Sequence, residues 1–324
     1  MRALRPAIFA LVLLAPWFLV ASAFAADYPS GPVRVLVPYP AGGLVDIVMR
    51  VVGERLSREL GQQFVIESRV GAGGTIATGL VARADPDGYT LLAITDSHAT
   101  NPLAFKDLPY DSIADFAPIG LIGSSPLVLT VHPSVPAKSV QEFIALARQK
   151  AKEPLSYGSI GYGSAAHLAG EIFKARAGIE LVHIPYKGGA PAVNDLVAGH
   201  INAMFLSPIT SAPHIKSGAL VALGIAAPNR FPSLPDVVTM KEAGVPMEAG
   251  YWVGLMAPAK TPAPVVAVLE RALAHVLEDN DLRTRLTDIG LVVTHKNSKD
   301  FGAYIVEQTK FWKEFTEENH IKFE

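Results

Sequence analysis

The sequence predicts an α/β protein of two Rossmann-like lobes joined by two crossover strands. Three observations carry this. Short apolar, β-branched segments alternate with segments of helical spacing along most of the chain, an order that builds parallel sheets covered by helices on both faces. Two stretches more than a hundred residues apart share one layout, an apolar strand running into a glycine-rich loop that opens a helix. The first is Val33–Val37 with Pro38–Gly43, the second Leu155–Tyr157 with Gly158–Gly163. Finally, two apolar segments, Ser125–Val131 and Trp252–Ala257, are followed by Pro133 and Pro258, as connections between two lobes would be. On this reading lobe 1 comprises residues 27–125 and 253–324, and lobe 2 residues 126–252.

Before the lobes comes a leader, residues 1–25. Arg2 and Arg5 make a positive start, Ala7 to Val20 an apolar core, and Ala23-Phe24-Ala25 a small-x-small cleavage site. An uncleaved anchor is the competing reading, since Ala7 to Ala25 nearly suffices to span a bilayer. Pro16, the small triplet and the polar residues from Asp27 favour cleavage and a soluble periplasmic product. Removing 25 of 324 residues leaves 299, enough for two domains of common size. The chain has no cysteine, hence no lipid-anchoring thiol and no disulfide, so its stability rests on an ordinary core.

The elements follow in order. After Val33–Val37, the spacing of Leu44, Val48, Val51, Val52, Leu56 and Leu60 predicts a helix. Phe64–Ile66 and Thr90–Ile94 are strands, with further strands at Leu127–Val131, Leu181–Ile184, Ile201–Phe205, Ala222–Ala226 and Val253–Ala257. Ser139 and Glu142 form a capping box before Phe143, Ile144 and Ala147. Val266, Leu269, Leu273 and Val276 mark a late helix, and Ser298 caps the last one, which carries Phe301, Ile305, Trp312 and Phe315.

Both glycine loops fall at the carboxyl ends of strands, where ligands of such sheets sit. A helix N-terminus carries unpaired N–H groups and about half a positive charge, and glycine lets a ligand approach the backbone. Two such loops, one per lobe, point to a small anion held between two halves. In Tyr39–Gly43 the alternatives are a plain βα turn and a site in which Ala41, Gly42 and Gly43 offer backbone and Tyr39 a wall or hydroxyl. Asp46, in the first helical turn, reads as an organiser of that loop more than as a ligand contact. In the second loop Ser159, Gly161, Tyr162, Gly163 and Ser164 offer hydroxyls and close backbone. Ser164 alone is an N-cap, and His167 one turn on is either a structural donor or a contact.

Tyr186 and Lys187 lie in a third strand-to-helix loop, where Lys187 either neutralises a ligand or is merely solvated. Thr95–Asn101 reads as a hydrogen-bonded turn before Pro102, or as a source of donors in Thr95, Ser97 and Asn101 for the same ligand. A net charge of −2, falling to −4 without Arg2 and Arg5, and the lack of any basic run argue against nucleic acid. No second His, Cys or carboxylate stands at metal spacing from His167. Gly71–Gly74 lacks the dinucleotide spacing, no serine lies in G-x-S-x-G, and cysteine is absent, so neither a cofactor nor catalysis is expected.

Set in order, several segments resemble the periplasmic solute-binding receptors of tripartite tricarboxylate transporters, the Bug proteins. They are Tyr28-Pro29 with Val37–Asp46, Gly71–Thr75, Asp85–Leu92, Leu108–Asp111, Pro185–Gly188 with Pro191-Ala192, and Pro232–Val237. The resemblance spans the mature chain. It implies the type II periplasmic binding protein (Venus-flytrap) architecture, a monomer that closes on a small carboxylate, and delivery to membrane permease subunits. It carries ligand contact onto Tyr39, Gly42, Gly43, Asp46 and the Gly158–Ser164 loop. A membrane sensor kinase is the alternative partner. Where members often have Asp-Asn after Met-Phe, this chain has Leu206-Ser207 after Met204-Phe205. That loss of a carboxylate beside Ser207 suits a ligand without an ammonium group.

Overall fold

The computed structural model describes residues 28–150, 152–186 and 188–321. The expected leader and Lys187 therefore lie outside the described residues. The first sheet begins with β1 (Val33–Val37), α1 (Leu44–Leu60), β2 (Phe64–Ser68), a 3-10 turn at Ala72–Gly74, α2 (Thr75–Ala82), β3 (Thr90–Ile94) and α3 (Ser97–Ala104). β4 (Phe116–Pro126) leads into β5 (Val128–Val131), which opens the second sheet. There follow α4 (Val140–Gln149), β6 (Ser156–Ser159), α5 (Ala165–Ala177), β7 (Val182–Pro185), α6 (Gly189–Val197), β8 (Ala203–Leu206), α7 (Pro208–Lys216) and β9 (Val221–Ile225). The chain then returns through β10 (Gly250–Pro258), α8 (Ala263–Glu278), α9 (Asn280–Asp288), β11 (Val292–Lys296) and α10 (Ser298–Glu318).

Two lobes result. One holds the six-stranded sheet β11-β4-β10-β3-β1-β2, the other the five-stranded sheet β7-β6-β8-β5-β9. The sheets are mixed where mostly parallel ones were expected. β1 pairs β2 and β3 in parallel, and β6 does the same with β7 and β8. The strands that connect the lobes enter antiparallel: β10 between β3 and β4, β5 between β8 and β9. Each has crossed from the other lobe, so it needs no helical crossover to fix its direction.

The first passage between sheets is at Leu127, inside the expected Ser125–Val131. The return lies earlier than expected: Trp252–Ala257 belongs wholly to β10, and the chain changes sheets between Ile225 and Gly250. Main-chain bonds lock the two passages side by side. Leu127 N–H donates to Ala249 O at 2.9 Å, Ala226 N–H to Leu127 O at 2.8 Å, and Ala249 N–H to Ala226 O at 3.1 Å.

Alternation places the core. Val33, Val35, Val37, Leu91 and Ala93 pack against Val48, Met49, Val52 and Leu56 of α1 and Leu269 and Leu273 of α8. The opposite face, through Leu36, Leu92 and Ile94, joins Phe301 and Ile305 of α10 in a core that continues into the second lobe. Ser139 caps α4 as expected, accepting the Glu142 N–H at 3.2 Å. For α10 the cap is Asn297, whose Oδ1 accepts the Asp300 N–H at 2.8 Å, so Ser298 is the first helical residue instead. Among the described residues no helix is long and apolar enough to cross a membrane.

Candidate functional site

The carboxyl ends of β1 and β3 carry the first half of the site. β1 runs into Pro38–Gly43, where Gly42 takes φ +79°, a left-handed turn that favours glycine. The two N–H groups expected to be on offer are both used within the loop. Gly42 N–H donates to Asp46 Oδ2 at 2.9 Å and Gly43 N–H to Pro40 O at 3.1 Å. Asp46, only 2 % exposed, also accepts from Arg50 Nε and Nη2 at 2.9 and 3.0 Å. These partners, Arg50 first, hold its carboxyl below the usual range. Asp46 therefore organises the loop. Donors that remain are those of the α1 start itself, because Gly43 caps it without a side chain. Ala41 is exposed at the loop tip.

Tyr39 reaches across to β3. Its hydroxyl hydrogen-bonds with both Thr95 Oγ1 and Ser97 Oγ, which lie 3.0 Å from each other. Thr95–Asn101 is not a turn before Pro102: Ser97–Ala104 is helical, with Pro102 in its interior. Asn101 is drawn away from this hydroxyl group, its Nδ2 donating to Gly73 O at 3.1 Å. Gly71–Thr75 thereby joins the same edge, packed so tightly that a Cβ on Gly74 would stand 3.0 Å from Pro38.

The sequence reading passed over Asp96, between Thr95 and Ser97. It is 5 % exposed, and burial pushes its carboxyl up to about 7. Burial and this carboxyl together push Tyr39 up to about 12. The available signal was an acidic residue two positions after the strand Thr90–Ile94.

In the second lobe the loop after β6 is closed upon itself. Ser164 caps α5, accepting the His167 N–H at 3.4 Å and donating to Gly161 O at 2.6 Å. Gly163 N–H donates to His167 Nδ1 at 3.1 Å, and Gly161 N–H to Ser159 Oγ at 3.1 Å. Ser159 Oγ also lies 2.7 Å from Nε2 of His183, on β7, a residue the sequence reading did not select. The His167 and His183 rings meet at a tilt of 31° with centroids 4.2 Å apart, and Tyr162 meets both edge-on. Burial lowers His167 to about 4 and His183 to about 3. Both imidazoles are neutral at pH 7. Tyr162 keeps 47 % of its surface exposed.

Tyr186 is tied in by its N–H to Ser159 O at 2.9 Å, while its hydroxyl turns to Asp195 at 2.7 Å. α6, unlike α5, has an open helix start. Gly188 caps it with no side chain, and a Cβ there would meet nothing within 4 Å. Ser207, at the end of β8, bonds Thr210 Oγ1 at 2.9 Å and leaves α7 without a side-chain cap. Of the candidate residues, one group gathers around Tyr39, Thr95 and Ser97, another around Ser159–His167 with Tyr186. Ser207 sits at the edge of the second. Among the described residues no three His, Cys, Asp or Glu stand together as a metal would need.

The family model described as tripartite tricarboxylate transporter family receptor matches residues 48–321. The chain belongs to that family. Its members are periplasmic solute-binding receptors, not enzymes. Protein BugT of Bordetella pertussis is 33 % identical over 310 residues, covering 94 % of this chain and 94 % of that protein. The R. palustris protein Rpa4515, solved with adipate, is 34 % identical with a TM-score of 0.82, covering 91 % of this chain and 99 % of that one. MatC of Rhodopseudomonas palustris, solved with bound malate, is 33 % identical with a TM-score of 0.76, covering 89 % and 99 %. The two-lobed fold of this receptor is thus shared along nearly its whole described length.

Proposed function

We propose that this receptor is exported by its leader, captures a small carboxylate between its lobes, and delivers it to the permease subunits of a tripartite transporter. One observation carries the reading. Each lobe sets a helix start without a side-chain cap, α1 and α6, at the carboxyl end of its parallel strands. Hydroxyl groups sit at the carboxyl ends of the same sheets: Tyr39, Thr95 and Ser97 in one lobe, Ser159, Ser164 and Ser207 in the other. None of these is cationic, so an anion is held by amides and hydroxyls in the manner of helix-terminus sites. The acids seen with Rpa4515 and MatC support a dicarboxylate.

The lobes divide at the two passages between sheets, with described residues 28–126 and 250–321 in one lobe and 127–249 in the other. Tyr39, Ala41, Gly43 and the Gly158–Ser164 loop line the cleft; Gly42, Asp46, Asn101 and His167 shape it. A ligand touching both halves stabilises the closed form over the open one.

The test is a thermal-shift screen of the mature chain against adipate, malate, other mono-, di- and tricarboxylates, amino acids and sugars. A ligand at a hundred times its Kd adds about 2.7 kcal/mol to stability. A rise in Tm with carboxylates alone supports the reading; a rise with sugars alone ends it.

A further inference from the structure

Asp96 differs from Asp46, the other deeply buried carboxylate of the first lobe, in having no ionic partner among the described residues. Its Oδ1 is sealed from solvent and accepts no hydrogen bond. The groups around it come from three separate elements: Tyr39 from the loop after β1, Tyr251 from β10 and Tyr304 from α10, each of whose hydroxyls this carboxyl makes harder to ionise. β10, which carries Tyr251 and Trp252, pairs with β3 up to Gly254 and Ile94, two residues before Asp96. Trp252 Nε1–H is likewise buried without a partner, and its ring meets Tyr304 edge-on at 5.7 Å.

Charges near this group are remote or engaged. Glu248 and Glu307 act on Tyr304, and Lys296 Nζ lies 5.5 Å from the Tyr304 ring centre. His98, two residues on, places Nε2 2.7 Å from Ser112 O and is lowered to about 4 by burial. Asp96 itself is governed by burial, offset in part by bonds from its own backbone and Thr95. An ionised carboxylate in an aromatic surround with an unmet acceptor is costly, and a proton removes most of that cost.

We propose that Asp96 takes up a proton when a carboxylate binds and, as a neutral carboxyl, donates a hydrogen bond toward the ligand held at Tyr39, Thr95 and Ser97. Capture is then proton-coupled, and Asp96 selects anionic over ammonium-bearing ligands. Each free molecule whose Asp96 is ionised takes one proton from solvent on binding, so uptake per ligand is small below pH 7 and approaches one above it; no other bond changes. A like charge arriving beside Asp96 favours its neutral form, which gives the sign: the complex holds the proton to higher pH than the free protein. With the free carboxyl titrating near 7, Kd rises about tenfold per pH unit above that point.

This inference rests on the carboxylate reading, and the experiment separates them. Titration calorimetry with adipate and with malate is run from pH 6 to 9, in buffers of different ionisation enthalpy, on wild type and Asp96→Asn. The expected result in wild type is little uptake and a flat Kd at pH 6, with uptake rising toward one proton and Kd rising as pH passes 7, and in Asp96→Asn a pH-independent Kd with no uptake. Wild-type binding without uptake, or the same slope in the variant, overturns the role of Asp96 and leaves the carboxylate reading standing. Binding of amino acids that strengthens as pH rises, with carboxylates inert, overturns both.

Discussion

The Asp46 carboxylate accepts the Gly42 N–H at 2.9 Å from within the first turn of α1, closing the loop onto the helix it precedes. Asp46→Ala removes that bond and the Arg50 pairing together. Loss of a buried, charge-assisted acceptor costs about 1–3 kcal/mol. The expected outcome is a lower denaturation midpoint and weaker ligand binding, measured by urea unfolding and calorimetry. Because the folded pKa is depressed, this stabilisation is present above the unfolded value near 3.8 and is lost as pH falls below it.

Tyr39→Phe keeps the aromatic wall and deletes only the hydroxyl that joins Thr95 and Ser97. Those two hydroxyls remain 3.0 Å apart and can satisfy each other. Stability should move little, whereas affinity for a bound carboxylate falls about 10- to 100-fold, one hydrogen bond to an anion. Thermal unfolding of the free variant beside its Kd reads both.

His167 and His183 are neutral in the fold, their pKa values lowered from 6.5 to about 4 and about 3 by burial. The unfolded chain binds protons first as pH drops, so stability declines from about pH 6.5 toward 4. A Tm–pH profile should show that fall, and His183→Gln should flatten it. A profile unchanged by the substitution would mean His183 contributes nothing to acid sensitivity.

At Gly123 in β4, an added Cβ would stand 2.3 Å from the Val292 carbonyl oxygen of β11. A backbone atom cannot rotate aside. Gly123→Ala should therefore lower stability by about 1–3 kcal/mol or more, while Gly31→Ala, with nothing within 4 Å, should be neutral. Paired denaturation curves make the comparison.

The same glycine explains what the sequence hid. β4 reads Phe-Ala-Pro-Ile-Gly-Leu-Ile-Gly-Ser-Ser-Pro, whose breakers argue against a strand. They are packing devices: Gly120 lets Leu273 of α8 approach and Gly123 lets β11 approach, neither visible without the partner element. Strands with ordinary chemistry, such as Val33–Val37 and Thr90–Ile94, were legible to the residue. At the site, local signals gave the loops and the role of Asp46, since an acid in a first helical turn has a nearby use. Tyr251 and Tyr304 were not legible, because they reach Asp96 only through the return of the chain. The exchange of α5 for α6 as an open helix start depended on Ser164 and His167 folding back on their own loop.

Leu127, Ala226 and Ala249 hold the two interlobe passages together through peptide groups alone. No side chain takes part in those three bonds. Evolution can therefore redraw the loops that choose a solute without disturbing the joint, and can vary the joint's side chains without losing its bonds. A scaffold that holds its joint by peptide groups and its solute by loop residues keeps mechanics and chemistry in separate parts of the chain, so a change in one need not touch the other.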